Sequence, residues 1–146
     1  MNPTSQYSNL GGIGRVTTPY GGRTKYEGFH AGIDLANKKG TPIPSFASGI
    51  VTAVKSGFKN GDNGFGNQVA VKDGQGNTHY YSHLHQAMVR PGQRVGRGQV
   101  IAKMGDSGSS YSPSGSDSSH LDYRVANAYN KIKNPLTYLM GNKQNG

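Results

Sequence analysis

Hydrophobic residues in this chain come in short alternating runs, none of them long. From Phe29 to Ala36 the alternation sets His30, Gly32 and Asp34 against Ala31, Ile33 and Leu35. In an extended chain residues i, i+2 and i+4 share a face, so this run predicts a strand with His30 and Asp34 pointing the same way. A helix would also align the two, but Gly28 and Gly32 favour the strand. Thr41 to Pro44 reads as an extended lead into the β-branched strand Gly49 to Val54. Asn67 to Lys72 and Thr78 to Leu84 form two further strands, joined by a hairpin turn at Asp73-Gly74-Gln75-Gly76-Asn77. Turns are predicted at Thr18 to Gly22 and at Pro91-Gly92. Strands follow at Val100 to Met104 and at His120 to Val125, the second with His120 and Asp122 on one face. Asn134 to Met140 reads as a short closing helix with Pro135 in its first turn.

Between these elements lie two long loops. Residues 57–66 hold four glycines, and residues 105–119 are mostly Ser and Gly. A loop of the second kind in a compact domain is usually functional or mobile, and this one ends directly at His120, so it is expected to rim a site. Residues 1–14 read as a linker leading into the domain, 15–140 as the domain and 141–146 as a tail. The expected fold is mainly β: a compact antiparallel sheet domain, with long loops framing a groove and one short C-terminal helix.

Composition narrows the function. With 32% hydrophobic residues and 23 glycines among 146, a helical bundle is excluded and a single turn-rich β domain fits. The chain has no cysteine, which removes disulfides, thiolate zinc sites and thiol nucleophiles. Any metal must be held by His, Asp or Glu. Sixteen Lys and Arg against seven Asp and Glu give a formal charge of +9, which favours an anionic partner. The basic residues form no long run and do not cluster with aromatics, so nucleic acid is not expected. No stretch reaches the ~18 apolar residues of a membrane span. Met1 to Gln6 lacks a basic-then-apolar leader, so the chain is expected to be a domain excised from a longer protein, or to be exported by another route.

A zinc hydrolase needs three protein ligands and one open position for water. His30 and Asp34, then His83 in Tyr81-Ser82-His83-Leu84, then His120 and Asp122 in His120-Leu121-Asp122 supply imidazoles and carboxylates on strand-like segments. Singly, each is commonplace; together and in order they suggest one site. A serine hydrolase is not expected, because no Gly-x-Ser-x-Gly elbow occurs. Nor is a two-carboxylate glycosidase, since Glu27 is the only glutamate.

From Thr18 to Leu139 the chain resembles the lysostaphin-like family of zinc peptidoglycan endopeptidases. His30-Ala31-Gly32-Ile33-Asp34-Leu35 resembles its first ligand motif, Gly66-Asn67-Gln68-Val69 the strand after its glycine-rich loop, and Tyr81-Ser82-His83-Leu84 its aromatic-x-His-Leu segment. Val89 to Val95 with Gly98-Gln99-Val100-Ile101 resembles its turn-and-strand signature, and Asn134-Pro135-Leu136 its closing segment. The resemblance implies one zinc ion, with His30 and Asp34 as ligands and His83 and His120 as the two catalytic histidines. It also implies cleavage of peptide cross-links, at a cross-bridge or a D-alanine junction, in bacterial peptidoglycan. A monomer is expected outside the cell or at the wall, either secreted or part of a phage-derived lytic or tail protein. The positive charge would draw it to anionic wall polymers.

One departure stands out. Where the family's His-x-His motif has its second histidine, the third ligand, this chain has Asp122. Aspartate is a legitimate zinc ligand. Two carboxylates and one imidazole neutralise the ion, however, so a less electropositive centre, with a more alkaline requirement or looser metal retention, is expected. His83-Leu84-His85 offers His85 as another route, although that position reads better as a groove edge, and His79 reads as a surface residue. Tyr20, Tyr26, Tyr81 and Tyr111 are candidates for groove walls or ordinary packing. Two other readings stay open: a metal-poor degenerate homologue acting as a wall-binding or partner-activating module, and a lipoyl-carrier-like domain, which the lack of a lysine at a hairpin tip disfavours.

Overall fold

The computed structural model describes residues 13–22, 28–109 and 119–140. Most of the linker, the tail, Tyr26, Tyr111 and the middle of the 105–119 loop lie outside the described residues. Ten strands form one antiparallel sheet: β1 (Arg15–Thr18), β2 (Ile33–Ala36), β3 (Pro42–Pro44), β4 (Gly49–Lys55), β5 (Asn67–Asp73), β6 (Thr78–Ala87), β7 (Arg94–Val95), β8 (Val100–Met104), β9 (His120–Ala126) and β10 (Ile132–Lys133). The order is β1-β2-β9-β6-β5-β4-β7, with β10 on β9 and a β3–β8 ladder joined to the far half of β6. A short helix, α1 (Leu136–Met140), closes the chain. Its backbone is capped by Asn134 Oδ1, which accepts from the Leu136 N–H at 3.0 Å. Among the described residues no helix is long and apolar enough to cross a membrane.

Period-two alternation decides which side of the sheet is core. Ile33, Leu35, Val51, Val69, Val71, Tyr81, Leu121, Tyr123 and Val125 all turn to one side and are fully buried. Ile43, Ile101, Met104, Tyr138 and Leu139 join them, so the β3–β8 ladder and α1 share that core. Each such burial contributes about 1.5–3 kcal/mol. The alternate residues of β2 and β9, and those of the first half of β6, face the other side and form the floor of the site.

His79 is not on the surface as the sequence suggested; it lies fully buried in the core. Its Nε2–H donates to Asp73 Oδ2 at 2.8 Å and its Nδ1 accepts from the Tyr123 hydroxyl at 2.8 Å. Period-two alternation with Tyr81 places it there, and Asp73 and Tyr123 satisfy its nitrogens, which is what allows a buried imidazole. Burial lowers the His79 pKa from its ordinary value, outweighing the Asp73 partner. Burial alone would raise the Asp73 carboxyl, but the His79 bond and the backbone N–H groups of Asn77 and Gln75 outweigh it, and its pKa is lowered.

A histidine held neutral in the fold costs nothing at neutral pH. Its contribution is lost as pH falls below the unfolded value of 6.5, because the unfolded chain then binds the proton more readily. The melting temperature should therefore hold at about pH 7.5 and drop by about pH 5.5, and His79→Phe should flatten part of that drop. A wild-type curve level across the interval would exclude the assignment. His79→Ala should cost about 2–4 kcal/mol, read by denaturant unfolding.

The strand predicted from Phe29 starts only at Ile33. His30 lies before it, pinned to the turn after β1: its N–H donates to Gly22 O at 2.7 Å and its carbonyl accepts from Gly21 N–H at 2.8 Å. The short strands β1, β3 and β10 carry too few residues for an alternation to register, and pairing with neighbours alone defines them.

Candidate metal centre and paired histidines

The β2–β9 register places Asp34 directly opposite Asp122. Two carboxylates facing each other across a ladder repel and need a cation between or beside them. His30 Nε2 lies 3.0 Å from Asp34 Oδ1. Donor atoms of His30, Asp34 and Asp122 all lie within 4.8 Å of one another, the one such group among the described residues. His30 and Asp122 are buried, and Asp34, at 13%, is the most open of the three. One imidazole and two carboxylates are donors that zinc accepts, they converge, and the more open Asp34 leaves a side for water; the residues present fit a zinc ion.

Gly32 shows how closely this centre is built. A Cβ there would come within 2.5 Å of Arg124 Cγ, 2.7 Å of Tyr123 O and 2.9 Å of Asp122 Oδ1. The residue between His30 and Asp34 must lack a side chain so that Asp122 and Arg124 can approach. Gly32→Ala should displace them, with a stability loss of about 1–3 kcal/mol and a loss of about tenfold or more in zinc affinity. Zinc titration of the two proteins checks this; equal affinities would show that the space is not needed.

His83 reaches the same site through a break in alternation. Tyr81 and Leu84 both point into the core, so one residue between them is extra. His83 takes it up with φ of 62°, a left-handed conformation that non-glycine residues rarely adopt. There β6 leaves β9, its last partner pair being Ser82 with Asp122, and begins pairing with β8 at Leu84 with Met104. Strain of this kind persists where the surroundings enforce it. Here the His83 N–H donates to Phe65 O at 2.8 Å, and Nδ1–H donates to Ser107 O at 2.7 Å. The second bond fixes the proton on Nδ1 and leaves Nε2 as the basic nitrogen.

The two glycine-rich loops brace each other to set this carbonyl. Gly61 N–H donates to Gly108 O and Gly108 N–H to Lys59 O, both at 3.0 Å. Gly66 sits at φ of 66°, and a Cβ there would lie 2.5 Å from Ser107 O. Lys39 pairs with Asp106 at 3.2 Å. The first residues of the Ser/Gly loop are thus held at the site edge.

His120 opens β9, and its N–H donates to Gly105 O at 3.0 Å. Its ring lies 4.6 Å from the His83 ring, tilted by 36°. Burial, then the neighbouring His120, push the His83 pKa down, against the Ser107 bond and the nearby carboxylates of Asp122 and Asp34. His83 is therefore a neutral base near neutral pH. His30, Asp34 and Asp122 converge, His83 lies near enough to feel the charges of Asp122 and Asp34, and His120 packs against His83, while His85 is exposed and is no member of the donor group.

Three neighbours complete the site without belonging to any sequence motif. Arg124 grips Asp122, Phe65 lies with its ring 6.1 Å from that of His83, and the Ser107 carbonyl orients the imidazole. Arg124 was legible in principle, being two residues beyond Asp122 on a strand and so on the same face. Tyr81 is core rather than wall, its hydroxyl accepting the Phe46 N–H at 2.9 Å. Tyr20 is half-buried and packs edge-on to Phe29 with ring centroids 5.3 Å apart, beside His30.

A one-sided antiparallel sheet carrying a His/Asp/Asp cluster and two facing imidazoles defines a recognisable class. The model of peptidase family M23 matches residues 28–135, and the chain belongs to that family. It is similar to the murein hydrolase activator NlpD of Escherichia coli strain K12, 36% identical over 126 residues, which cover 86% of this chain and 29% of that protein. Among solved structures it is similar to a mutant catalytic domain of the prophage-encoded M23 protein EnpA from Enterococcus faecalis. That match has a TM-score of 0.67 and 30% identity, and covers 84% of this chain and 89% of the other. It is also similar to the antimicrobial peptidase lysostaphin from Staphylococcus simulans, with a TM-score of 0.70, 25% identity, and coverage of 92% and 50%. The lysostaphin-like fold expected from the sequence is thus the fold observed. The chain spans less than a third of the length of the NlpD protein it matches.

Proposed function

We propose that this domain is a zinc-dependent endopeptidase that hydrolyses peptide cross-links of bacterial peptidoglycan, at a cross-bridge or a D-alanine junction. The observation that carries the reading is the convergence of His30, Asp34 and Asp122 beside the facing rings of His83 and His120. Zinc, when held by the first three, supplies a Lewis acid for a water molecule and a peptide carbonyl. His83 Nε2, neutral and oriented through Nδ1, takes the proton of the attacking water. His120, its ring 4.6 Å from that of His83, donates a hydrogen bond to the oxyanion of the tetrahedral intermediate, and the proton taken by His83 passes to the leaving amine. The Phe65 ring, 41% exposed beside His83, forms a wall against which a small unbranched peptide packs.

Digestion of purified sacculi from several species, with and without a chelator, tests this. New amino termini and fragment masses of cross-link cleavage, lost on chelation and restored by zinc, are expected. Intact sacculi across all species would contradict it.

The +9 charge suits an envelope rich in phosphate polymers. Binding to such walls should weaken as salt compresses the Debye length to ~8–10 Å and below. Salt-independent binding would remove this explanation.

A second reading has two observations in its favour. Both oxygens of Asp122 accept from Arg124, and one relative is named an activator of murein hydrolases. In that reading the domain binds the wall or a partner hydrolase without metal. Elemental analysis separates the two: one zinc per chain supports the enzyme, none supports the module.

A further inference from the structure

Arg124 makes an unusual neighbour for a metal ligand. Its Nε donates to Asp122 Oδ1 at 2.8 Å and a terminal nitrogen to Oδ2 at 2.9 Å, a two-pronged grip on the whole carboxylate. The guanidinium is not a solvated surface group. It lies over the Phe65 ring, 4.6 Å from its centroid, and its side chain is only 15% exposed. Its aliphatic stem fills the space that a side chain at residue 32 would take. Packing from two sides and a fork on the third fix one conformation.

A carboxylate has about four acceptor positions, and the fork takes one on each oxygen. Asp122 can therefore still offer an oxygen to an ion, but against a fixed positive charge immediately behind it. The sum of charges matters here. His30 with Asp34 and Asp122 brings −2, which would cancel a divalent ion; Arg124 adds +1 and restores a net positive centre.

We infer that Arg124 is a positioning residue that sets the charge and affinity of the metal centre: it holds Asp122 in place when metal is absent and weakens metal binding by like-charge repulsion when metal is present. This rests on the zinc reading above. It also alters the expectation drawn from Asp122 alone, because the second carboxylate is offset within the same strand.

The test uses zinc itself, titrated into the metal-free protein against a chromophoric chelator, together with the melting temperature of the metal-free protein. Arg124→Gln should bind zinc about tenfold or more tighter than wild type, since a unit charge next to the ion is removed in a partly buried site. Metal-free Arg124→Gln should melt lower, because Asp122 then faces Asp34 without its partner. Arg124→Lys keeps the charge and loses the fork; its zinc affinity should stay within about threefold of wild type.

A purely structural prop predicts the opposite order, with both variants binding zinc more weakly. Arg124→Gln that binds equally or less tightly would overturn the inference. Arg124→Lys tests it alone if the glutamine variant does not fold: a loss of about tenfold or more would overturn it. Wild type that takes up no zinc would overturn the zinc reading itself, a result distinct from either variant outcome.

Discussion

Alanine at position 83 is expected to slow cleavage of cross-linked peptidoglycan by about 10²–10⁴-fold while zinc content stays at one ion per chain. The separation of the two readouts follows from geometry. His83 is not in the His30, Asp34, Asp122 donor group, so removing it takes nothing from the ion. What is lost is a neutral imidazole whose Nδ1–H is committed to Ser107 O and whose Nε2 is therefore the proton acceptor. The variant also relieves the left-handed backbone only in part, because alanine at φ of 62° remains strained. A small stability change is therefore expected alongside the large kinetic one. Glutamine at the same position keeps a hydrogen-bonding side chain without a base and should be as slow as alanine. Turnover close to wild type in either variant would remove His83 from the mechanism.

The second large effect is at Asp34. Asp34→Ala should abolish stoichiometric zinc binding and with it activity. Losing a residue that merely supports a ligand costs 10–100-fold in affinity, and losing one of three ligands should cost about 10²-fold or more. The metal-free protein should respond the other way. Asp34 faces Asp122 across the ladder, and deleting one of two opposed carboxylates relieves repulsion. Metal-free Asp34→Ala is therefore expected to melt at or above wild type, the usual exchange of stability against function at a site. His30→Ala should lose zinc in the same way but without this gain, since both carboxylates remain. A calorimetric melt of each metal-free protein and a zinc titration check both halves. Full zinc occupancy in Asp34→Ala would contradict the ligand assignment.

Much of the fold was legible because alternation is a strong signal where one face is buried. Val69, Val71, Leu121 and Val125 all take the core side that their spacing predicts. The hairpin at Asp73 to Asn77 was legible from its turn residues, and Asp73 Oδ1 indeed accepts from the N–H groups of Gln75 and Asn77.

What was not legible depends on events between distant segments. Alternation gives no notice that β6 changes partner at His83, because the cause is the competition of β8 and β9 for one strand. Residue type misled at His79, where a polar side chain is buried only because Asp73 and Tyr123 happen to satisfy both nitrogens. His30 and Asp34 do meet, but through a loop pinned to Gly21 and Gly22 rather than through one continuous strand. Arg124 and Phe65 carried no motif and emerge only from the shared face of β9 and the loop that crosses it.

On the proposed reading, Asp34 and Asp122 from the β2–β9 ladder and His30 from the loop ahead of it bind one zinc ion. Anomalous diffraction at the zinc edge from crystals grown with the metal tests it most directly. One peak is expected, with His30, Asp34 and Asp122 each at ~2.0–2.2 Å and a water completing the shell. A peak that excludes Asp122, with its carboxylate still wholly engaged by Arg124, would contradict the account, as would no peak at all.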